Sequence, residues 1–586
     1  MSTDIEKVYT EQIGVIPMVA EYLTKMDFIN VIDTAVKPLR SNNRRLTHGQ
    51  TSFILILYLV CRQHCMYKVE EWVNDTTYLK ILMPEIKGEY FTDDRIEDTL
   101  KAIFDAKVMD IFSAQTINVI KAFNLDVSQV HCDFTSFSVH GDYENWGEEC
   151  INITYGYSKD HRKDKKQFVQ EVTITNDGGV PIGTQSLDGN SADVSSYIPA
   201  WEKIKGEIGS SDFLTIGDCK LSSDANLLTI MKGNGYFVAP LAMYNTLKKD
   251  LIKYVVEEKK PLQLLKQIKQ SESLTVSYSA FEVTADLVDK ETEKVYPYRQ
   301  IFVYSSQLNV LRLKSMKERI AKSIEEIDDF KVKIKFGKKY DCVERVDEKI
   351  SSILKKHHCE DLINFTVNEK TVVIKNKVGR GRSCSTSEYM YTEKKLFIVN
   401  HSMNQGNIKT EEEICGYFVI GTNKSKDELS MKQVLVCYKQ EWKVERIFER
   451  LKGPLQVIPI YLKDPRHIEA MLYLLVTCAQ IFTLIDREAK NTLAANNERL
   501  SGLFPNKITT KSPKMEQIID KFANVSLVYI EKGSEINCFI SELTVVQRRL
   551  LEVTHTSTLM YNSNYVVQKL ENAVQSSDIP SLIGIG

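Results

Sequence analysis

Two aspartates follow strand-like, apolar runs in this chain of 586 residues. Asp133 lies in "QVHCDFTSFSVHG", and Asp218 closes "FLTIGD". The carboxyl ends of strands in an open sheet are where ligands collect. Two carboxylates at such an edge repel each other unless a divalent cation neutralises them, and carboxylate oxygens suit Mg²⁺ or Mn²⁺. The alternative is a pair of ordinary strand-end aspartates without a ligand.

A third acidic group lies in "YKQEWKVERIFERLKG", which predicts one continuous helix from Tyr438 to Gly453. With roughly 100° per residue, the helix has an apolar face, an acidic stripe and a basic face. The stripe comprises Tyr438, Glu441, Glu445, Glu449 and Lys452. The basic face comprises Lys439, Lys443, Arg446 and Arg450. Glutamates one turn apart repel one another, so the stripe either faces solvent on a surface helix or meets a cation.

Composition excludes several classes of protein. Hydrophobic residues make up 43% and charged residues 26% of the chain, as in globular proteins. The net charge of −2 provides no global basic field, so any nucleic-acid surface must be local. The apolar stretches Phe53–Cys61 and Met471–Ile485 are shorter than the roughly 18 to 20 residues of a membrane span, and we expect buried helices. Scattered cysteines and an acidic amino terminus indicate a cytoplasmic protein without disulfides.

The pattern of elements predicts an α/β protein in five segments. Residues 1–125 predict an all-α amino-terminal domain, which either binds DNA or serves dimerisation and packing. Residues 126–245 begin with three strand-like runs, "VSQVHCDFTSFSV", "CINITYGYS" and "FVQEVTITND", and then alternate strands and helices, which predicts a mixed sheet. Residues 246–430 predict an α+β insertion, and residues 431–495 complete the core with the glutamate helix. Residues 496–586 are expected to form a loosely attached carboxy-terminal region.

Several motifs together resemble those of the DDE transposases of bacterial insertion sequences. In one subgroup the last acid lies in the pattern Y-(2)-R-(3)-E-(6)-K, and Tyr438, Glu445 and Lys452 match it. Glu441 stands at the arginine position, so the phosphate contact of that arginine would pass to Lys439 or Lys443. "DFTSF", "GYSKDHRKDKKQF", "GNSAD" and "GDCKLSSDANL" are similar to further family segments. The resemblance covers about residues 10 to 490 and is weakest between 250 and 410.

This resemblance implies a ribonuclease-H-like catalytic core, split by an insertion before its last helix. Two Mg²⁺ or Mn²⁺ ions would be held by Asp133, Asp218 and Glu445. The expected activity is metal-dependent DNA strand cleavage and strand transfer at the ends of its own insertion sequence. The implied partners are double-stranded DNA, as transposon ends and target, and a second copy in a synaptic homodimer, with no membrane. The implied location is the prokaryotic cytoplasm, in association with the nucleoid.

DNA contacts beyond the metal ligands are expected from three groups of residues. The glutamate helix offers Tyr438, Lys439, Lys443 and Lys452. "SKDHRKDKKQ" offers Lys159 and Arg162, and the glycine-spaced "KNKVGRGRS" offers Lys377, Arg380 and Arg382. Each of the two loops could also be a plain solvated loop. Relatives stack a flipped base on an aromatic residue of the insertion, but the tryptophans of this chain lie elsewhere, at Trp72, Trp146, Trp201 and Trp442.

Two other functions compete with this interpretation. A phosphatase of the haloacid dehalogenase type needs a second acid two residues after its aspartate, and Thr135 occupies that place after Asp133. A domesticated transposase that only binds DNA predicts the loss of at least one acid, whereas all three are present.

Overall fold

The computed structural model describes residues 7–575 apart from 38–45, 62–64, 142, 144–148, 270–274, 337–339, 341, 380–381, 383–387, 456–461, 507 and 533–534. The chain forms two compact units. The first comprises Met1–Ala239, Leu287–Tyr296 and Val436–Gly586, and the second comprises Pro240–Asp286 and Pro297–Leu435. The division into segments 1–125, 126–245, 246–430, 431–495 and 496–586 stays a prediction.

The helices and strands follow one another in three stretches of chain. The first stretch contains β1 (Lys7–Gln12), α1 (Ile16–Lys25), α2 (Phe28–Ala35), α3 (His48–Val60), α4 (Val69–Asp75), α5 (Leu79–Leu82), α6 (Asp93–Asp105), α7 (Val108–Phe123), β2 (Gln129–Ser138), β3 (Gln167–Thr175), β4 (Pro181–Leu187), α8 (Asp193–Ile208), β5 (Leu214–Ile216), α9 (Asp224–Lys232) and β6 (Tyr236–Leu241). The second contains α10 (Asn245–Ile252), β7 (Gln263–Lys269), β8 (Thr275–Val288), β9 (Val295–Ser305), α11 (Ser306–Phe336), α12 (Val343–Lys356), β10 (Ile363–Lys377), β11 (Tyr389–Met403), α13 (Gln405–Ile414) and β12 (Tyr417–Thr422). The third contains α14 (Met431–Tyr438), α15 (Trp442–Lys452), α16 (Pro465–Ala495), α17 (Met515–Phe522), β13 (Ser526–Lys532), β14 (Glu535–Ile540), α18 (Val545–Val553) and α19 (Ser563–Gln575).

The amino-terminal region is mainly helical, as predicted. Thr47 forms a reciprocal capping box with Gln50 at the start of α3, and the Thr92 side chain caps α6 by accepting from the Arg95 amide. The prediction of an all-α domain is nevertheless wrong, because β1 pairs antiparallel with β13 over its whole length. The strand is six residues long and mostly exposed, and its partner lies near the other end of the chain. No local pattern could therefore have revealed it.

The sheet of the first unit is mixed, as predicted. Its strands lie in the order β4-β3-β2-β5-β6. Strands β2, β3 and β4 are antiparallel neighbours, whereas β5 runs parallel to both β2 and β6. The strand expected in "CINITYGYS" is wrong: the segment forms a single bridge between Thr154 and Gln167. Asn152 instead bonds the loop after β4, accepting from the Gly189 amide and donating its own amide to Asp188.

Helix α16 forms the centre of the first unit, and the buried helix predicted there is confirmed. By length and composition alone this helix could cross a membrane, but 94% of its most apolar window is buried inside the protein. A buried polar network ties it to its neighbours. Gln115 on α7 donates to Gln480 at 2.7 Å and accepts from the Tyr473 hydroxyl at 2.7 Å, and Gln480 donates to the Pro181 carbonyl at 2.6 Å. Buried polar groups satisfied in this way fix one packing arrangement of α7, α16 and β4.

The carboxy-terminal region is an integral part of the first unit, so the expected loose attachment is wrong. The Tyr22 hydroxyl donates to the Thr554 carbonyl at 2.7 Å, and the Tyr78 hydroxyl donates to the Met560 carbonyl at 2.7 Å. The apolar faces of α17, α18 and α19 are buried, with Leu551 at 0% exposure. These helices are amphipathic and bury their apolar faces against elements far away in sequence.

The second unit combines a sheet, long helices and an isolated ribbon. Its sheet strands lie in the order β12-β9-β8-β7, with β9 and β12 antiparallel and β7 and β8 antiparallel. Strands β10 and β11 form a separate antiparallel pair of 15 residues each. The base of this pair packs on the buried faces of α11 and α12 through Ile363, Phe397 and Val399.

We expect Leu551→Ala to lower the free energy of unfolding by about 2–5 kcal/mol, because the lost side chain leaves a cavity in a packed core. Val545 begins the same helix at 81% exposure. Val545→Ala should therefore change the free energy by no more than about 0.5 kcal/mol. Urea unfolding of both variants measures the difference. Equal, small effects would mean that the carboxy-terminal helices are loosely attached after all.

Candidate active site

The structure brings Asp133 and Asp218 to one edge of the mixed sheet. The parallel pairing of β2 with β5 ends at His131 opposite Ile216, and each aspartate lies two residues beyond that pair. Because side chains alternate along a strand, Asp133 shares a face of β2 with His131, and Asp218 lies just beyond the end of β5. Asp133 was expected at the end of its strand. This expectation is wrong, because β2 continues beside β3 to Ser138.

Lys159 lies beside Asp133. Its ammonium is 3.7 Å from Asp133 Oδ1 and also donates to the Phe134 carbonyl, and Asp133 Oδ1 accepts from the Phe134 amide at 2.7 Å. The Lys159 amide donates to Ser136 Oγ at 2.9 Å, which fixes the loop after Tyr157 against β2. A lysine expected to contact DNA thus stands next to the first acid.

Tyr197 holds Asp218 in place. The Tyr197 hydroxyl donates to Asp218 Oδ1 at 2.8 Å, and the Lys220 amide donates to the same oxygen at 2.9 Å. Tyr197 lies on α8 and is 2% exposed, and burial raises the pKa of its hydroxyl well above the usual value, which keeps it a donor. Sequence analysis missed this residue, since a single tyrosine in a helix carries no spacing signal.

The continuous helix predicted from Tyr438 to Gly453 is wrong, because the chain turns between α14 and α15. Helix α14 ends at Tyr438, Lys439–Glu441 form a turn, and α15 begins at Trp442. The turn is tight, as the amides of Glu441 and Val444 each donate to the carbonyl three residues earlier. The predicted apolar face of α15 is confirmed by the burial of Val444, Ile447, Phe448 and Leu451. It contacts β2 and β3.

Three carboxylates act electrostatically on a fourth, Glu441, at this edge of the sheet. Glu441 is half-buried, and burial, followed by the charges of Asp133, Asp218 and Glu445, raises its pKa to about 7, against a smaller opposing effect of Lys159. Glu445 lies exposed on the first turn of α15, and Glu449 is exposed one turn later. Glu441, which stands where the motif resemblance suggested an arginine, therefore lies in the negative field of the other acids.

The donor chemistry of this group fits a divalent metal ion. Carboxylate oxygens are the ligands that Mg²⁺ and Mn²⁺ prefer, and a cation would relieve the repulsion that raises the pKa of Glu441. Within the part of the chain that the structure describes, no three histidine, cysteine or carboxylate side chains already converge on one point. The fit therefore rests on donor type and charge rather than on a preformed coordination shell.

Tyr438 belongs to the same group of side chains. Burial raises the pKa of its hydroxyl, and the charges of Glu441, Cys219, Asp218 and Glu445 raise it further. The ammonium of Lys439, which is exposed, lies 5.7 Å from the centre of the Tyr438 ring.

Lys443 is engaged within the protein. Its ammonium donates at 2.7 Å to the carbonyl and side-chain oxygens of Asn176 and to the side chain of Gln440. Burial, followed by the charge of Lys490, lowers the pKa of Lys443 to about 8. Of the two lysines expected to replace the family's arginine, Lys439 is therefore the exposed one.

The loop of residues 156–166 supplies partners for the other predicted cations. The Lys452 ammonium contacts Asp160 Oδ1 at 2.9 Å and Oδ2 at 3.1 Å, which joins the end of α15 to this loop. Arg162 is bonded to Asp164 through two nitrogens, at 3.0 and 2.8 Å.

The remaining predicted DNA contacts belong to the second unit. Lys377 ends β10, but its side chain lies outside the described residues, as does all of Arg380. Arg382 is exposed. Nothing tests these three residues, and their contact with phosphate stays a prediction.

A buried arginine anchors α15. Arg450 was expected on a basic outer face, yet it is 1% exposed. Its guanidinium donates to Asp486 Oδ2 at 2.7 Å and to Glu516 Oε1 and Oε2 at 2.7 and 3.2 Å. These contacts fasten the helix that carries Glu445 to α16 and α17. Sequence analysis missed the network, because a helical wheel cannot distinguish a face covered by later elements from a face in water.

Comparisons with known proteins identify the family of this chain. Residues 8–117 match a domain of unknown function (DUF4277). One solved structure, described as "Cryo-EM structure of piggyBac transposase synaptic complex with hairpin DNA (SNHP)", is similar with a TM-score of 0.36 and 9% identity, over 98% of this chain and 89% of that chain. No curated protein matches the chain. Residues 128–481 match the model described as "Transposase DDE domain". Because this match spans more than half of the sequence, the chain belongs to the Transposase DDE domain family.

Proposed function

We propose that this protein is an active transposase that cleaves DNA at the ends of its own insertion sequence and joins those ends to target DNA. The observation that carries this proposal is that Asp133, Asp218 and Glu445 lie close enough to the half-buried Glu441 for their charges to act on it, because such a group of acids is the negative site that metal-dependent phosphoryl transfer needs. We further propose a ribonuclease-H-like core split by an insertion, and membership of the Y-(2)-R-(3)-E-(6)-K subgroup.

Asp133, Asp218 and Glu445 would hold two Mg²⁺ or Mn²⁺ ions. When bound, such ions supply activation of a water molecule or a DNA 3′-hydroxyl and stabilisation of the leaving oxygen. The protein itself contributes positioning. Tyr197 and the Lys220 amide fix one Asp218 oxygen, so the second oxygen is the one that can turn towards a ligand.

Lysines close to the acids would bind the DNA backbone. Lys159 stands beside Asp133 and Lys452 beside Asp160. A phosphate brought to the acids would offer each ammonium a second anionic partner, so both can orient the scissile strand. Lys439 on the exposed turn would take the contact that the family assigns to arginine. Two copies of the protein would bring two DNA ends together in a synaptic homodimer. This complex would form in the cytoplasm, in association with the nucleoid.

We expect Asp133→Asn and Asp218→Asn to reduce DNA cleavage to background while binding of end DNA stays within about threefold of wild type. Each change keeps side-chain size but removes charge that a cation needs. Cleavage of DNA carrying the ends of the element, with Mg²⁺, Mn²⁺ or EDTA, measures the effect. Asp212, at the amino end of β5, is the matched control, because it lies at the end of the strand opposite Asp218. Asp212→Asn should cleave like wild type. Full cleavage in EDTA, or by either active-site variant, would contradict a metal-dependent mechanism.

The second expectation separates three glutamates. Glu445→Gln should eliminate cleavage, because it removes the proposed metal ligand. Glu441→Gln and Glu449→Gln should retain at least roughly a tenth of the cleavage activity, because neither residue is proposed to bind the metal in the transition state. Single-turnover cleavage on preformed complexes with end DNA compares the three variants. An inactive Glu441→Gln beside an active Glu445→Gln would assign the third ligand to the turn before α15.

The third expectation concerns pH. In the folded protein the pKa of Glu441 is raised from its usual 4.5 to about 7, so ionising Glu441 costs stability once the pH exceeds 4.5, and the cost is complete above about 7. In EDTA, Glu441→Gln should therefore melt at a higher temperature than wild type at pH 8. The difference should shrink as the pH falls through 7 and vanish near 4.5. Added Mg²⁺ should also narrow it at pH 8. Glu449→Gln, at an exposed position, is the control. A difference in melting temperature between Glu441→Gln and wild type that does not change with pH would contradict the raised pKa of Glu441.

A further inference from the structure

The β10–β11 ribbon has two faces of different chemistry. Residues at odd positions of β10 share a face with their partners on β11, and the base of this inner face packs on α11 and α12. The even positions form the outer face. It comprises Asn364, Thr366, Asn368, Lys370, Val372, Ile374 and Asn376 opposite Ser402, Asn400, Ile398, Leu396, Lys394, Thr392 and Met390.

The outer face is most exposed near its base. Asn364, Asn368, Lys370 and Asn400 are exposed, and Ile398 keeps 45% of its surface exposed. Thirteen residues of β10 from Asn364 to Asn376 span roughly 40 Å at about 3.3 Å per residue. Val372, Thr392, Lys394 and Leu396, farther towards the tip, are half-buried, so the outer face is a long two-stranded surface that is most open near its base.

Charge separates the two faces. The outer face of these strands contains two lysines, Lys370 and Lys394, and no carboxylate. The acids of the ribbon, Glu369 and Glu393, lie on the inner face, where Glu369 bonds Lys395 at 2.8 Å. The inner face also carries three lysines, so the faces differ in their acids rather than in their cations. A surface on which lysines and amides lie among apolar residues without any acid is complementary to a polyanion.

The aromatic residues are also separated. Tyr389 and Tyr391 lie on the inner face with Lys375, whose ammonium is 4.0 Å from the Tyr389 ring centre. Protein–protein interfaces are enriched in aromatic side chains, and the outer face has none. It carries four asparagines instead, the side chain that pairs in bidentate fashion with the N6 and N7 edge of adenine.

We propose that the outer face of the β10–β11 ribbon lies in the major groove of double-stranded DNA and reads bases there. A two-stranded ribbon fits this groove, which is about 12 Å wide. Asn368 and Asn400 contact adenine edges, Lys370 and Lys394 contact the flanking phosphates, and Ile398 meets the apolar edge of thymine. The inference rests on the proposed function, since it assumes that the protein recognises the DNA ends of its element.

The test uses the full-length protein and end DNA, with a matched pair of double variants. Asn368→Ala with Asn400→Ala changes the outer face, and Thr371→Ala with Val373→Ala changes exposed inner-face positions of the same ribbon. Affinity is measured for end DNA, for scrambled DNA, and for end DNA in which 7-deaza-adenine removes the N7 acceptor. Cleavage at saturating end DNA is measured in parallel.

The outer-face variant should lose preference for end DNA over scrambled DNA by roughly 5- to 150-fold, the discrimination of one or more bidentate pairs. The 7-deaza-adenine should weaken wild type and the inner-face variant but leave the outer-face variant unaffected. Lys370→Gln with Lys394→Gln should weaken all DNAs alike and reduce the salt slope by about 1.8, at about 0.9 per phosphate.

Two results would overturn the inference while leaving the proposed function intact. In the first, the wild type binds and cleaves end DNA selectively, but the outer-face variant keeps the same preference for end DNA over scrambled DNA. That variant is also still weakened by 7-deaza-adenine. The other is an outer-face variant that dissociates a dimer in light scattering without any change in base sensitivity, which would assign the face to a second copy. A wild type that neither prefers nor cleaves end DNA would remove the proposed function and the inference together.

Discussion

The closeness of Asp133, Asp218 and Glu441, which repel one another when ionised, is the constraint on which the candidate active site depends. Folding brings Asp133, Asp218 and Glu441 within range of one another, which is unfavourable when all are ionised. The surrounding groups limit this cost by local means. Asp133 accepts from the Phe134 amide and lies near Lys159, and Asp218 accepts from Tyr197 and an amide. The acids are thus held in place individually, yet remain a strongly negative group as a whole.

The part of the site that follows from strand and helix geometry could be predicted from the sequence. The proximity of Asp133 to Asp218 follows from the parallel pairing of β2 with β5, which ends two residues before each aspartate, and the apolar face of α15 follows from helical periodicity. The break between α14 and α15 could not be predicted, because three residues in a tight turn keep nearly helical hydrogen bonding. Tyr197 and Arg450 act through partners that only the folded chain brings close, so no spacing in the sequence reveals them.

The buried Arg450 network extends the proposed active site beyond the matched family domain. Glu516 lies outside residues 128–481, yet it shares the guanidinium of Arg450 with Asp486. A buried charge of this kind is tolerated only when it is paired and hydrogen-bonded, and loss of one partner leaves an uncompensated ion. The orientation of the glutamate helix therefore depends on a region that family comparison does not cover. The expectation of a loosely attached carboxy-terminal region was wrong because buried partners of this region, such as Tyr22 for Thr554, lie far away in the sequence.

The contacts of β1 and α1 with the carboxy-terminal region have a consequence for folding during translation. The Tyr22 hydroxyl meets a carbonyl 532 residues further along the chain, and at roughly 5–20 residues per second translation needs about 30–100 s to supply that partner. Throughout this interval the emerging amino-terminal strand has an open edge and its helices lack their final cover, which is the state that trigger-type chaperones and proteases encounter. Synthesis of β13 and α18 is thus the event that supplies the missing partners of the amino-terminal region.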